Sequence, residues 1–137
     1  MEGTANCELC REAGGEVLWR DGFCRVVLVG DAHYPGFCRV ILDRHVAEMT
    51  DLEDGERARL MRVVFATERA LREALAPDKI NLASLGNVVP HLHWHVIPRF
   101  CDDRHFPAPV WAAPARAATV ARPLDPGLLR ARLAALL

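Results

Sequence analysis

No apolar run in this chain approaches the roughly 18 consecutive residues that a membrane-spanning helix needs. The opening "MEGTANCELC" lacks the charged-then-apolar layout of a secretory leader. A membrane is therefore set aside as a partner, and a cytoplasmic protein is expected. An excess of one charge is missing too: 17 Lys and Arg stand against 18 Asp and Glu, giving a net charge of -1 and a pI near 6.6. Without a global cationic field polymeric nucleic acid is a poor partner, whereas a small anion can still be held by local geometry. Cysteines are few and odd in number, five in 137 residues, and a chain of this length needs no disulfide staples. Reduced thiols or a metal site are expected instead. What is abundant is apolar mass, 51% of residues, enough for the core of one compact domain.

Two strand-like runs, "EVLWR" (16–20) and "CRVVLVG" (24–30), flank the turn signal Asp21-Gly22 and predict a hairpin. "FCRVIL" (37–42), rich in β-branched and aromatic residues, predicts a third strand. Thr50 with Glu53 three positions on forms a capping-box signature, so a long helix is expected from there until Pro77 stops it. Its apolar face is read as Met61, Val64, Phe65, Leu71 and Leu75. "KINLASL" (79–85) and "HLHWHVI" (91–97), joined through "GNVVP", predict a second hairpin. Five prolines between Phe106 and Pro126 argue against a strand there and for a wrap or tail. "DPGLLRARLAALL" ends the chain as a short helix with Asp125 as N-cap and Pro126 at its first position. The order predicts an α+β domain with a mainly antiparallel sheet: residues 1–105 form the core, and 106–137 add a Pro-rich wrap and short helix to the same domain.

"HLHWHVIP" carries the chemistry. In an extended segment successive side chains alternate, so His91, His93 and His95 share one face and Leu92, Trp94 and Val96 the other. Residues two apart rise about 6.7 Å, which separates His91 from His95 by roughly 13 Å and prevents all three from binding one metal easily. An HxH pair with a third ligand can hold zinc and activate water. The alternative is nucleophilic attack on phosphorus by a neutral imidazole whose tautomer is fixed by a hydrogen bond to its other nitrogen. Solvated surface histidines are disfavoured, because strict alternation of three among six histidines is improbable by chance. "CELC", taken alone, leaves a redox pair, a metal half-site or two small residues open.

"HLHWHVI" matches the pattern H-φ-H-φ-H-φ-φ and, with "CELC", "YPGFCRVIL", "INLASLGN" and "HVIPR", resembles the histidine triad (HIT) superfamily over most of the chain. The resemblance implies a HIT-like five-stranded sheet with two helices, completed as a homodimer, and a pocket for a small, purine-type nucleotide. It implies His93 as the nucleophile forming a nucleotidyl-histidine, His95 as the group holding phosphate oxygens, and His91 as the residue orienting the central ring. Asn81, Asn87 and Asp31 correspond to nucleotide-binding positions. Some bacterial members carry a structural zinc, which here implies Cys7, Cys10, His45 and His91 as ligands; no organic cofactor is implied. The expected activity is hydrolysis or transfer at a phosphoanhydride of the dinucleoside polyphosphate kind. A phosphoramidase, a zinc-dependent hydrolase and a nucleotide-binding protein with little turnover are the alternatives.

Three departures bear on rate. Phe37 stands where many members have a supporting histidine, Val88 where many have Ser or Thr, and Asn87 where many have Gln. A valine cannot protonate a leaving group. This tilts the expectation toward anhydrides, whose phosphate leaving group needs less help than an amine. His33, Tyr34, Arg104 and His105 read as surface loop residues, Trp94 as core or interface, Trp111 as a cover of pocket or partner, and Cys24, Cys38 and Cys101 as small packed residues.

Overall fold

A computed structural model describes residues 4–117 and 121–137, so residues 118–120 of the expected wrap lie outside the described residues, as do 1–3. A short helix α1 (Glu8–Arg11) precedes β1 (Glu16–Arg20), β2 (Cys24–Leu28), β3 (Cys38–Leu42), the long helix α2 (Asp54–Leu75), β4 (Lys79–Ala83), β5 (His93–Arg99) and α3 (Pro126–Leu136). The strands pair antiparallel throughout in the order β1-β2-β3-β5-β4. This is the α+β architecture expected from the chain. Asp21 makes the first hairpin: its Oδ1 accepts the amides of Phe23 and Cys24 at 2.9 and 3.1 Å, while Gly22 takes a φ of +85°.

Alternation divides the sheet into two different faces. Cys24, Val26, Cys38, Val40, Leu42 and Val96 are buried together with Leu60, Val63, Val64 and Leu71 of α2 and Leu129 and Leu133 of α3. The residues between them, Arg25, Arg39, Asn81, His93, His95 and Arg99, project from the face that α2 and α3 leave uncovered. The N-terminal segment, the β2–β3 connection and the Pro-rich segment partly cover that second face. Cys7 and Leu9 pack on Val27 and Ile41, and Tyr34 and Phe37 pack on Ile97 with Val110 beside them. Because β5 lies between β3 and β4, His95 has a ladder partner on each side, Arg39 and Ala83, while His93 is paired with Ile41 of β3.

Four local expectations need correction. α2 is capped by Glu53, whose side chain and that of Glu56 form the capping box; Thr50 instead lies in a 3-10 turn, Met49–Asp51, with its own box between Glu48 and Asp51. Two overlapping acidic boxes compete here, and the later one opens the helix. On α2 the buried stripe includes Leu60, Val63, Ala70 and Leu71, whereas Phe65 is 56% exposed. It sits about 100° round the helix from Val64, beyond the core-facing arc. The last strand starts at His93, not His91, because Leu92 donates to Val46 O at 2.8 Å and leaves the regular ladder. Cys101 is exposed in the turn after β5, unlike the buried Cys24 and Cys38.

Candidate active site and metal centre

Arg25, buried near the start of β2, ties the N-terminal segment to the sheet. Its guanidinium donates to Ala13 O, Leu9 O and Glu12 O at 2.9, 2.7 and 3.1 Å, and pairs with Asp43 at 2.7 Å. The carbonyls it gathers belong to the segment that begins with the two N-terminal thiols. Cys7, Cys10, His45 and His91 accordingly converge, with one donor atom from each lying within 4.8 Å of the others. The Nδ1 of His91 is 3.3 and 3.5 Å from the sulfurs of Cys7 and Cys10 and 3.2 Å from the Nδ1 of His45.

The chemistry of these donors fits a metal ion. Leu42 O can only accept, so the 2.5 Å contact from the Nε2 of His91 fixes the proton there and leaves the Nδ1 lone pair facing the thiols. Two sulfurs and two imidazole nitrogens are a tetrahedral donor set suited to zinc, with no position left open for substrate. These four residues would hold the ion, and its contribution would be a cross-link between the N-terminus, the end of β3 and the entrance to β5.

His91 acts a second time through its backbone. The Nδ1 of His93 donates to the His91 carbonyl at 2.6 Å, which leaves the Nε2 of His93 as the bare lone pair. Ser84 donates to His93 O at 2.8 Å and secures the first residue of the strand. The His93 and His95 rings lie edge to face with centroids 5.0 Å apart. Only these two of the three histidines belong to the strand, whereas one extended segment was expected to carry all three; the ring of His91 lies at the thiols, the position that the resemblance also implied for it. Burial pushes the pKa of His93 down, and the Arg39 charge adds to this. For His95, burial first and then the charges of His93 and Arg39 push it down to about 4. Both rings are therefore neutral near pH 7, as a nucleophile requires.

Around His95 the surroundings are aromatic. Phe37 meets it edge-on at 5.7 Å and Trp111 at 5.5 Å. Trp111 also borders a hollow of about 610 Å³ whose wall includes Asn81, Leu82, Ala83 and Pro109. This hollow runs along β4 from Glu68 of α2 to the Pro-rich segment, reaches the histidine face through Trp111 and Ala83, and has room for a nucleoside.

Asn81 faces this side because its register opposite Ile97 places it with the histidines, and its Oδ1 accepts from Arg99 Nη1 at 2.7 Å. Asp31 and Asn87 are not brought to the same group. Asp31 is exposed, accepts the His33 amide at 2.8 Å and borders a separate hollow of about 210 Å³ with Gly36 and Leu124. Asn87 is exposed in the connection between β4 and β5, next to Val88, which is 90% exposed.

Several residues were missed or misread from the sequence. Tyr34 and His105, expected at the surface, are 4% and 8% exposed, and the Tyr34 hydroxyl hydrogen-bonds both Asp103 and His105. Asp103 accepts from Arg99 and from the amides of Phe100, His105 and Phe106, which anchors the Pro-rich segment to the end of β5. Arg39 stands opposite His95 in the β3–β5 ladder. The signal for Arg39 and Arg99 was available, since both alternate in phase with residues of the histidine face.

Residues 11–102 match the family model described as the HIT domain. The chain is 32% identical over 98 residues to an AP-4-A phosphorylase of Mycobacterium tuberculosis, covering 67% of this chain and 50% of that protein, so it spans about half the length of that relative. A histidine triad protein of Bradyrhizobium japonicum superposes with a TM-score of 0.68 at 31% identity, covering 90% of this chain and 89% of that one. A zinc-bound histidine triad family protein of Mycobacterium smegmatis gives 0.67 at 26% identity, covering 98% and 97%. The match takes in all five strands and the helix between β3 and β4, the scaffold that presents His93 and His95, and the chain belongs to the HIT domain family.

Proposed function

We propose that this protein binds a small purine nucleotide and cleaves a phosphoanhydride of the dinucleoside polyphosphate kind through a nucleotidyl-histidine intermediate. The observation that carries the reading is the bond from His93 Nδ1 to the His91 carbonyl, which leaves Nε2 free to attack. In the first step Nε2 bonds to the phosphorus as the P–O bond to the leaving phosphate chain breaks, its electron pair departing with that oxygen. In the second, water or a phosphate oxygen attacks the same phosphorus, the P–N bond breaks, and the neutral imidazole is regenerated. His95 and Asn81 are assigned to the oxygens of the reacting phosphoryl group, and Asn87 and Asp31, which stand apart from that group, to outer parts of the nucleotide. Membership of the HIT family and the name of the mycobacterial relative support nucleotide chemistry.

The reading extends to a structural zinc at Cys7, Cys10, His45 and His91, to residues 1–105 with 106–137 acting as one domain, to a cytoplasmic location, and to a homodimer. β4 supports the dimer: among the described residues it pairs with β5 alone and leaves its other edge open, with the half-exposed Leu85 just beyond.

The test is capture of the covalent adduct. Intact mass measured under mildly alkaline quench, with diadenosine tetraphosphate as substrate, is expected to show one adenylyl group on the wild type and none on His93→Ala, which still binds adenosine monophosphate. Binding by both proteins without an adduct in either would make this a nucleotide-binding protein with little turnover. That second reading draws on Phe37, which offers His95 a ring edge and no proton. Hydrolysis that stops in chelator while the fold persists would favour zinc-activated water.

A further inference from the structure

Arg39 is the second residue of β3, directly opposite His95 and two pairs along the ladder from the Ile41–His93 position, on the same face. Directly opposed residues of an antiparallel ladder hold their Cβ atoms about 5 Å apart, so the side chain starts on the histidine face within reach of both rings. It is half-buried, its Nε is shielded from solvent without a hydrogen-bond partner, and its guanidinium lies 6.0 Å from the Phe37 ring centroid. Among the described residues it forms no ion pair. Glu8 of α1 is the acid whose field reaches it, without salt-bridge contact. The other buried arginines of this face are engaged: Arg25 by Asp43 and three carbonyls, Arg99 by Asp103, Asn81 and Ala108 O.

A half-buried cation without a protein partner is unfavourable to the fold, since desolvation is not offset by pairing. Burial indeed lowers the Arg39 pKa, although a guanidinium stays charged at any physiological pH. The reaction supplies the missing partner. Burial holds the His95 ring neutral, so it brings no positive charge to a substrate that is a polyanion. A guanidinium fork matches pairs of phosphate oxygens, and the Phe37 ring 6.0 Å away takes none of its N–H donors in a hydrogen bond.

We propose that Arg39 is the cationic phosphate clamp of this site, holding the phosphate chain beside the reacting phosphorus and selecting substrates with an anionic polyphosphate leaving group over those with a neutral one. The inference rests on the nucleotidyl-transfer reading for its use, and its binding half can be tested without turnover.

Wild type, Arg39→Gln and Arg39→Lys are compared in three measurements. Calorimetric titration with inorganic tripolyphosphate is expected to show affinity about 30-fold weaker for Arg39→Gln, with partial recovery in Arg39→Lys. The kcat/KM for diadenosine tetraphosphate is expected to fall by a similar factor, while that for adenosine 5'-phosphoramidate falls less than about 5-fold. Thermal melting of Arg39→Gln is expected at or above the wild-type temperature, because an unpartnered cation has been removed. Unchanged tripolyphosphate affinity in a folded Arg39→Gln overturns the clamp. Equal losses on both substrates overturn the selectivity, and a lower melting temperature with unchanged affinity makes Arg39 a structural residue. Tripolyphosphate affinity that depends on Arg39 in a protein forming no His93 adduct would sustain the clamp and sink the enzyme.

Discussion

Arg99 donates from Nη1 to the Oδ1 of Asn81 over 2.7 Å, from β5 to β4. A guanidinium has only donors, so this contact decides which way the amide lies: oxygen toward Arg99, NH2 away from it. Asn81 thereby becomes an oriented donor on the histidine face. Replacing it with Asp keeps a partner for Arg99 but turns the outward donor into carboxylate oxygen. Asn81→Asp is expected to weaken adenosine monophosphate binding at least about 10-fold in titration calorimetry, with no loss of melting temperature. A variant that binds as well as the wild type would remove Asn81 from the site.

Arg99 and Asp103 form an ion pair at 2.8 Å with 2% and 3% of their side chains exposed. Breaking such a pair leaves a buried charge behind, at a cost of about 3–5 kcal/mol. Arg99→Met should therefore unfold at much lower denaturant concentration, and adding Asp103→Asn, which removes the stranded charge and keeps an oxygen for the amides of His105 and Phe106, should recover part of the loss. If Arg99→Met alone melts like the wild type, the pair does not hold the Pro-rich segment in place.

The helix boundary and the histidine face show what a sequence can and cannot reveal here. Strict alternation in "HLHWHVI" and the β-branched runs are local, period-two signals, and a five-stranded antiparallel sheet follows from them. The fate of His91 depends on a contact 84 residues away, to Cys7, and no periodicity reports it. Tyr34 and His105 looked like loop polar residues because their burial depends on each other and on Asp103, three positions without a shared pattern. Phe65 was misassigned since a helix's apolar stripe is fixed by where the sheet lies, not by hydrophobicity alone. Arg39 is legible only by alternation: it is a polar residue in the third strand, in phase with the histidine face.

Acid stability should fall in two stages. For His95, with a folded pKa near 4 against 6.5 unfolded, the unfolded chain binds more protons between those values. Its contribution is fully present above about pH 6.5 and is lost as the pH falls toward 4, by about 3 kcal/mol at ~1.4 kcal/mol per pH unit. His91 and His93, lowered chiefly by burial, act in the same sense. Burial pushes the Asp103 carboxyl up, but Arg99 and three backbone amides outweigh it and hold it well below the usual carboxylate range. Its contribution persists down to about pH 4 and is lost below. Urea denaturation at a series of pH values is expected to show His95→Asn flattening the first stage and Asp103→Asn the second; unaltered slopes would contradict the assignment.

His91 links the metal centre to the reacting ring, through its Nδ1 on one side and its carbonyl on the other. Wild-type protein is expected to carry one zinc per chain by elemental analysis, and Cys7→Ser to carry far less. The coupling is read in the His93 ring by nitrogen NMR. With zinc bound, the Nδ1–H tautomer should dominate. After chelation the melting temperature should fall, and the tautomer signal should broaden or shift toward Nε2–H as the carbonyl loses its fixed position. A stable metal-free protein with an unchanged His93 spectrum would mean that the two sites merely adjoin.

Trp111 gives the site its own reporter. Its ring is 52% exposed, borders the hollow beside Asn81 and meets His95 at 5.5 Å, whereas Trp19 and Trp94 pack against the core on the helix side. A nucleotide entering that hollow would cover the indole and bring a base within stacking distance, so the emission should quench and its accessibility to acrylamide should drop. Trp111→Phe is expected to abolish this response while weakening affinity only several-fold, since a phenyl ring keeps part of the stacking surface. Were the signal to survive in Trp111→Phe, or the wild-type emission to ignore saturating adenosine monophosphate, the nucleotide would have to sit elsewhere. The hollow beneath the Pro-rich segment would then lose its claim to the base.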